Sequence, residues 1–244
     1  MLNIKSGNNP LLAVNCLWQG VKLLNHPALR KYLLIPLLIN IVLYTSAFVL
    51  GYHSVAALIH QFIPDWLSWL NWLLWPLFFV SFLVVGFFTF TLLANLIAAP
   101  YYSLLAAKAL QILNQQDTTI QEQAWDRIFM GELKRVGYLL VRMLPLLLLF
   151  VIPLVNLIAP VLWAVFAAWG IAMEFMAYPL EGRGLTFPEQ RQFLQSSRWG
   201  MLSFGGLVSV GLTLPVVNLL IGQAAVLGAT IYVQQLAKLK SNQA

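Results

Sequence analysis

The sequence predicts an all-α integral membrane protein with two long transmembrane helices, two broken, partly penetrating helical hairpins and interfacial helices. Three observations carry that expectation. Of 244 residues, 60% belong to the AVILMFWYC set and only 9% are Asp, Glu, Lys or Arg; soluble domains are roughly 45–50% apolar and about 25% charged. Mean hydropathy is +0.79. The charges are also absent from four long runs, 32–64, 66–107, 143–173 and 199–237, which together hold 145 residues. Helices are expected because a backbone in lipid must satisfy its own hydrogen bonds. With 14 Lys+Arg and 8 Asp+Glu, a chain this size cannot cover a water-facing surface. An ordinary cytosolic enzyme, a disordered chain and a nucleic-acid-binding domain are therefore excluded. The net charge of +6 is what basic flanks of apolar spans produce.

The elements follow in order within a single membrane domain, 1–244. Residues 10–24 read as an interfacial helix: Leu11, Val14, Trp18 and Val21 recur at helical spacing, with Asn15, Gln19 and Lys22 opposite. The first charge-free run supplies a span at 32–52. The second run is twice the length of one span, given that about 20 residues cross a core of ~30 Å. It opens on Pro64-Asp65-Trp66-Leu67-Ser68-Trp69-Leu70-Asn71-Trp72, a composition suited to the membrane interface. The span proper then falls at 76–100. Residues 108–142 form a cytoplasmic segment with five basic and four acidic residues, polar over 114–135 and partly helical.

The third and fourth runs are broken in the middle and predict hairpins at 138–180 and 199–236. One contains Pro153-Leu154-Val155-Asn156 and the other Pro215-Val216-Val217-Asn218, so Pro and Asn repeat at an offset of 62. The arm 139–152 spans about 21 Å as helix, short of the ~30 Å core, which favours hairpins that dip partway. Six full spans with prolines at the far turns is the other topology the spacing allows. Broken segments at matching places in two repeats point to a substrate pathway.

Charge placement puts both termini and both large polar segments on the cytoplasmic side under either topology. Lys5, Lys22, Arg30 and Lys31 precede the first span, and Lys238 and Lys240 follow the last run. Residues 53–65, on the opposite side, carry Asp65 and no Lys or Arg. Cys16 is the only cysteine, so no intramolecular disulfide can form. No cleaved signal peptide is expected.

Enzyme motifs fail. There is no H-E-x-x-H, no nucleotide-binding P-loop and no G-x-S-x-G elbow. His26, His53 and His60 have no Cys or carboxylate at metal-binding spacing. Neither a metal nor a cofactor is expected. Arg30 and Lys31, after Pro27-Ala28-Leu29, offer paired cations beside a helix start, where free N–H groups and the helix dipole also attract anions. Snorkelling topology anchors would look the same. Asn40 and Asn95 lie inside the two spans and either line a pathway or tie helices together. Asn156 and Asn218 stand at the hairpin tips, where capping a helix end is the simpler role. Glu174 and Arg142 bound the third run, as an interfacial ion pair or a proton relay.

Several blocks resemble the bacterial CysZ family: Pro64-Asp65-Trp66-Leu67, Leu73-Leu74-Trp75-Pro76-Leu77, Asn95-Leu96-Ile97-Ala98-Ala99-Pro100, Leu104-Leu105-Ala106, Ala159-Pro160-Val161-Leu162-Trp163, Tyr178-Pro179 and Pro215-Val216-Val217-Asn218-Leu219-Leu220. They cover about residues 15–235 in order. The resemblance implies sulfate uptake across the inner membrane, feeding sulfate assimilation and cysteine synthesis. It also implies two long transmembrane helices with two hemi-penetrating hairpins, in a homo-oligomer. The family's sulfate site is a Gly-Leu-Arg stretch, often with a second Arg. Here it reads Ala28-Leu29-Arg30-Lys31, with alanine for glycine and lysine as the second cation. Ala107 and Ala177 stand where the family often has carboxylates.

The expected function is a sulfate permease or channel, with sulfate or a related oxyanion and the lipid bilayer as partners and no nucleic acid. Ala28, Leu29, Arg30 and Lys31 are the expected sulfate site, with Asn40, Asn95, Asn156, Asn218 and Glu174 as pathway candidates. A permease for sulfite or thiosulfate, or a membrane scaffold that transports nothing, are the alternatives.

Overall fold

The computed structural model describes residues 8–62, 71–114, 125–150, 152 and 155–241. Most of the tryptophan-dense stretch beginning at Pro64, the middle of the central polar segment and Pro153 lie outside these residues. Among the described residues every regular element is helical: α1 (Pro10–Leu23), α2 (Arg30–Phe62), α3 (Asn71–Asn114), α4 (Trp125–Leu149), α5 (Ala159–Glu181), α6 (Phe187–Ser196), α7 (Arg198–Thr213) and α8 (Pro215–Ser241). Single 3-10 turns stand at Pro27–Leu29 and Val155–Leu157. The protein is an all-α membrane protein.

The chain divides into two compact units, Lys31–Tyr101 and Met1–Arg30 with Tyr102–Ala244. The first unit consists of most of α2 and α3. At 33 and 44 residues, these helices run about 50 and 66 Å at 1.5 Å per residue. Each exceeds the ~30 Å hydrocarbon core. Their outer faces are apolar: Leu38, Val42, Phe48, Trp72, Leu77 and Val80 are all exposed. No soluble monomer leaves such contiguous apolar surface in water. Thr45 satisfies its hydroxyl within α2, donating from Oγ1 to the Ile41 carbonyl at 2.9 Å.

The second unit is built around α8. Every residue from Ile221 to Gln234 is buried, and α1, α5 and α7 pack against this helix. Ala159–Glu181 and Leu220–Lys238 are each long and apolar enough to cross a membrane, but the second is clad mostly by protein. α7 has 16 residues, about 24 Å, which is short of the ~30 Å core.

Small residues let these backbones approach. A Cβ on Gly20 of α1 would sit 2.5 Å from both the Ala224 carbonyl oxygen and the Gly228 nitrogen of α8. Reciprocally, a Cβ on Gly228 would sit 2.8 Å from Leu17 Cα. A Cβ on Gly205 of α7 would overlap the Ala168 carbonyl oxygen of α5, whereas one on Gly206 meets only the Ala168 methyl at 4.0 Å. In lipid, close backbone approach of this kind replaces hydrophobic burial as the source of helix association. Cys16 fits the same seam. It is fully buried, with Sγ donating to Gln235 Oε1 at 3.4 Å, and burial pushes its thiol up to about 12.

The helix termini are set by local chemistry. Asn9 Oδ1 accepts from the Leu11 amide at 2.9 Å to start α1, and Asn8 Oδ1 accepts from the Trp199 amide at 2.8 Å at the start of α7. Gly184 takes φ +76° in the turn between α5 and α6, a conformation that costs a residue with a Cβ. Glu189 closes α6 by accepting from the Thr186 amide at 2.6 Å and from its hydroxyl at 2.7 Å. These two bonds hold its carboxyl below the usual carboxylate range.

The change from charged to apolar sequence near Arg142 is not a helix boundary. α4 runs unbroken from Trp125 to Leu149 and carries Pro145 within it. Beyond it, the Phe150 and Trp163 rings are in edge contact at 6.1 Å.

Replacing Gly205 by Val should destabilise the purified protein by about 2–3 kcal/mol through overpacking against backbone, while Gly206→Ala should change its melting temperature little. Maleimide should label Cys16 at pH 8 only after detergent or heat unfolds the protein; labelling as fast as a free thiol in the folded state would contradict the buried seam.

Candidate functional site

The cationic stretch follows a capped turn. His26 is the cap of Pro27–Leu29, with Nδ1 accepting from the Ala28 amide at 3.3 Å. The Leu29 amide donates to the His26 carbonyl at 3.0 Å, and the Arg30 amide donates to the Pro27 carbonyl. Proline has no amide proton, so the first N–H groups of this helix start are all taken. Leu29 is fully buried and anchors the turn; Ala28 is half-buried. Arg30 and Lys31 are exposed, and neither forms an ion pair among the described residues. The Ala28, Leu29 and Arg30 amides are engaged, and the cations here are the exposed side chains of Arg30 and Lys31.

A second charged centre lies at the base of the first hairpin. Arg135 of α4 is only 2% exposed. Its Nη1 donates to Glu132 Oε1 at 2.6 Å and its Nη2 to Glu181 Oε1 at 2.7 Å. Gln190 Nε2 of α6 donates to the Leu185 carbonyl at 2.9 Å and to Glu181 Oε1 at 3.4 Å. One guanidinium thus fastens α4 to α5, and the amide extends the network to α6. Glu174, Tyr178 and Glu181 stand at i, i+4 and i+7 on α5, one face of the helix. The Tyr102 ring packs beside Tyr178 at 5.5 Å and Phe175 at 6.3 Å.

The remaining expected residues are dispersed. Asn40 and Asn95 belong to α2 and α3, but their side chains lie outside the described part. Asn156 sits exposed in the 3-10 turn, and Asn218 sits exposed in the first turn of α8. Neither caps a helix as the sequence suggested. The cap position of α5 is Ile158, with no side-chain bond, and Asn218 falls inside α8. Glu174 and Arg142 are not an ion pair among the described residues; Arg142 instead lies over the Tyr138 ring, with its Cζ 3.7 Å from the centroid. The Arg135 centre was not singled out from sequence. Its signal was the Glu132-x-x-Arg135 spacing, which brings opposite charges together on one helix face.

Exposed apolar helices, cores packed through glycine and charges confined to a few polar segments define an α-helical integral membrane protein. The chain belongs to the family described as Sulfate transporter CysZ/Etoposide-induced protein 2.4, whose profile matches residues 16–221. It is 40% identical over 224 residues to the sulfate transporter CysZ of Pseudomonas syringae pv. tomato, covering 88% of both chains. It is 38% identical over 229 residues to the protein of the same name from Pseudomonas aeruginosa PAO1, covering 88% of this chain and 92% of that one. The sulfate transporter CysZ of Pectobacterium atrosepticum is 38% identical over 226 residues, 89% and 82% of the two chains.

Arg135→Met should destabilise the protein by about 3 kcal/mol or more, because it strands Glu181 without its buried partner. Combining it with Glu181→Gln should recover part of that loss in a melting experiment. Additive losses would show that the two side chains do not act as a pair.

Proposed function

We propose that this protein imports sulfate across the bacterial inner membrane, supplying sulfate assimilation and cysteine synthesis. Membership in a family whose similar relatives are named sulfate transporters carries the reading. The chain is read as multi-pass, with both termini cytoplasmic and as a homo-oligomer. The short α7 supports a second hairpin that enters the bilayer only partway.

Arg30 and Lys31 are the proposed sulfate-attracting pair, on a turn shaped by Ala28 and Leu29. Their exposure and their lack of carboxylate partners among the described residues support this role. An arginine offers a tetrahedral oxyanion two parallel N–H donors, and the lysine adds a point charge. Sulfate then leaves this site for a pathway to which Asn40, Asn95, Asn156, Asn218 and Glu174 are the proposed contributors. The four asparagines, which carry no fixed charge, suit an anion that must be held weakly enough to move on. The sequence has no nucleotide-binding loop, so passage is channel-like or driven by an ion gradient.

Radiolabelled sulfate uptake into proteoliposomes tests the reading. Wild type should show saturable uptake, and Arg30→Ala/Lys31→Ala should lower it by roughly tenfold or more, the loss expected from one charge-assisted contact. Because both side chains are exposed, the double variant should keep the wild-type stability within about 0.5 kcal/mol. Unchanged uptake would remove the cations from the pathway, and no uptake by correctly inserted wild type would overturn the proposed function.

A further inference from the structure

We propose that Arg142 of α4 and Arg191 of α6 form a binding site for a tetrahedral phosphate-type oxyanion, supplied by the headgroup of an anionic lipid. The two guanidiniums share one ring. Arg142 Cζ lies 3.7 Å and Arg191 Cζ 5.1 Å from the Tyr138 centroid, so they are within about 9 Å of each other, the sum of those distances. Phe187 braces the same ring in edge contact at 5.9 Å. Stacking on the tyrosine orients both groups without cancelling either charge.

Neither arginine has a carboxylate partner among the described residues. Arg142 spends Nη1 on the Tyr138 carbonyl at 3.4 Å, and Arg191 has its Nε buried with no partner. The acids nearest in sequence are engaged elsewhere: Glu181 with Arg135 and Glu189 with Thr186. Two like charges held over one ring repel, and a bound anion removes that cost.

Position selects the ligand. Arg142 is the last charge before the uncharged run 143–173. Its neighbours Val141 and Leu144 are 67% and 61% exposed, apolar surface suited to acyl chains. Cations at the edge of an apolar surface sit at headgroup depth. A phosphodiester there can present one free oxygen to each guanidinium, as short charge-assisted bonds. This site is separate from the Arg30 and Lys31 proposal and stands whether or not that one does.

The test uses the full-length protein in maltoside micelles, with its melting temperature followed against added phosphatidylglycerol, phosphatidylcholine or sodium sulfate at matched ionic strength. Phosphatidylglycerol should raise the melting temperature saturably and phosphatidylcholine should not. Arg142→Gln/Arg191→Gln should shift the half-saturating lipid concentration upward by roughly tenfold or more with little change in the lipid-free melting temperature. Should that variant misfold, Arg142→Gln alone gives the same comparison. If sulfate reproduces the effect, and the variant loses it, the site holds but its anion is free in solution. A wild type that responds to neither anion, or a variant that responds as wild type does, overturns the proposal.

Discussion

The second structural unit depends on how closely four backbones can approach. Gly20 against Ala224 and Gly228, and Gly205 against Ala168, leave no room for a single added carbon. Helices in lipid gain little from burying apolar side chains, because the tails are equally apolar. Close main-chain contact, with its many small dispersion gains, is therefore what remains to hold α1, α5, α7 and α8 together. The buried Tyr232, Phe204 and Met201 pack around these crossings.

Charge provides the complementary tie. A buried guanidinium is costly unless it is paired, and Arg135 meets that demand by joining Glu132 and Glu181. It fixes the hairpin base where glycine packing stops. The acids are few, and this centre with the Glu189 turn occupies three of the eight in the chain. Arg30, Lys31, Arg142 and Arg191 have no carboxylate partner among the described residues.

Composition alone made the class legible, since the absence of charge over long runs has no other physical reading. The family resemblance added the expected chemistry. Helix boundaries were less readable at α4, where hydropathy changes at Arg142 but nothing breaks the helix. Asn156 and Asn218 were expected at hairpin tips as caps of broken helix ends, but Ile158 and Leu214 directly precede the helices instead. Free amides at Arg30 were expected because a helix N-terminus normally exposes four. His26, three residues upstream of Leu29, and the 3-10 turn engage the amides of Ala28, Leu29 and Arg30. The Arg135–Glu181 and Arg191–Tyr138 contacts escaped notice because they join distant segments, which one-dimensional spacing does not bring together.

The seam between α1 and α8 has a consequence for biogenesis. Gly20 and Gly228 are separated by 208 positions, so the first of the described helices docks on the last of them. Until the ribosome has delivered residue 228, α1 lacks its partner, and α5 and α7 surround an empty place. Truncation before residue 228 thus removes the centre of this unit rather than its edge, and during synthesis α1 must wait for that residue before its seam can close.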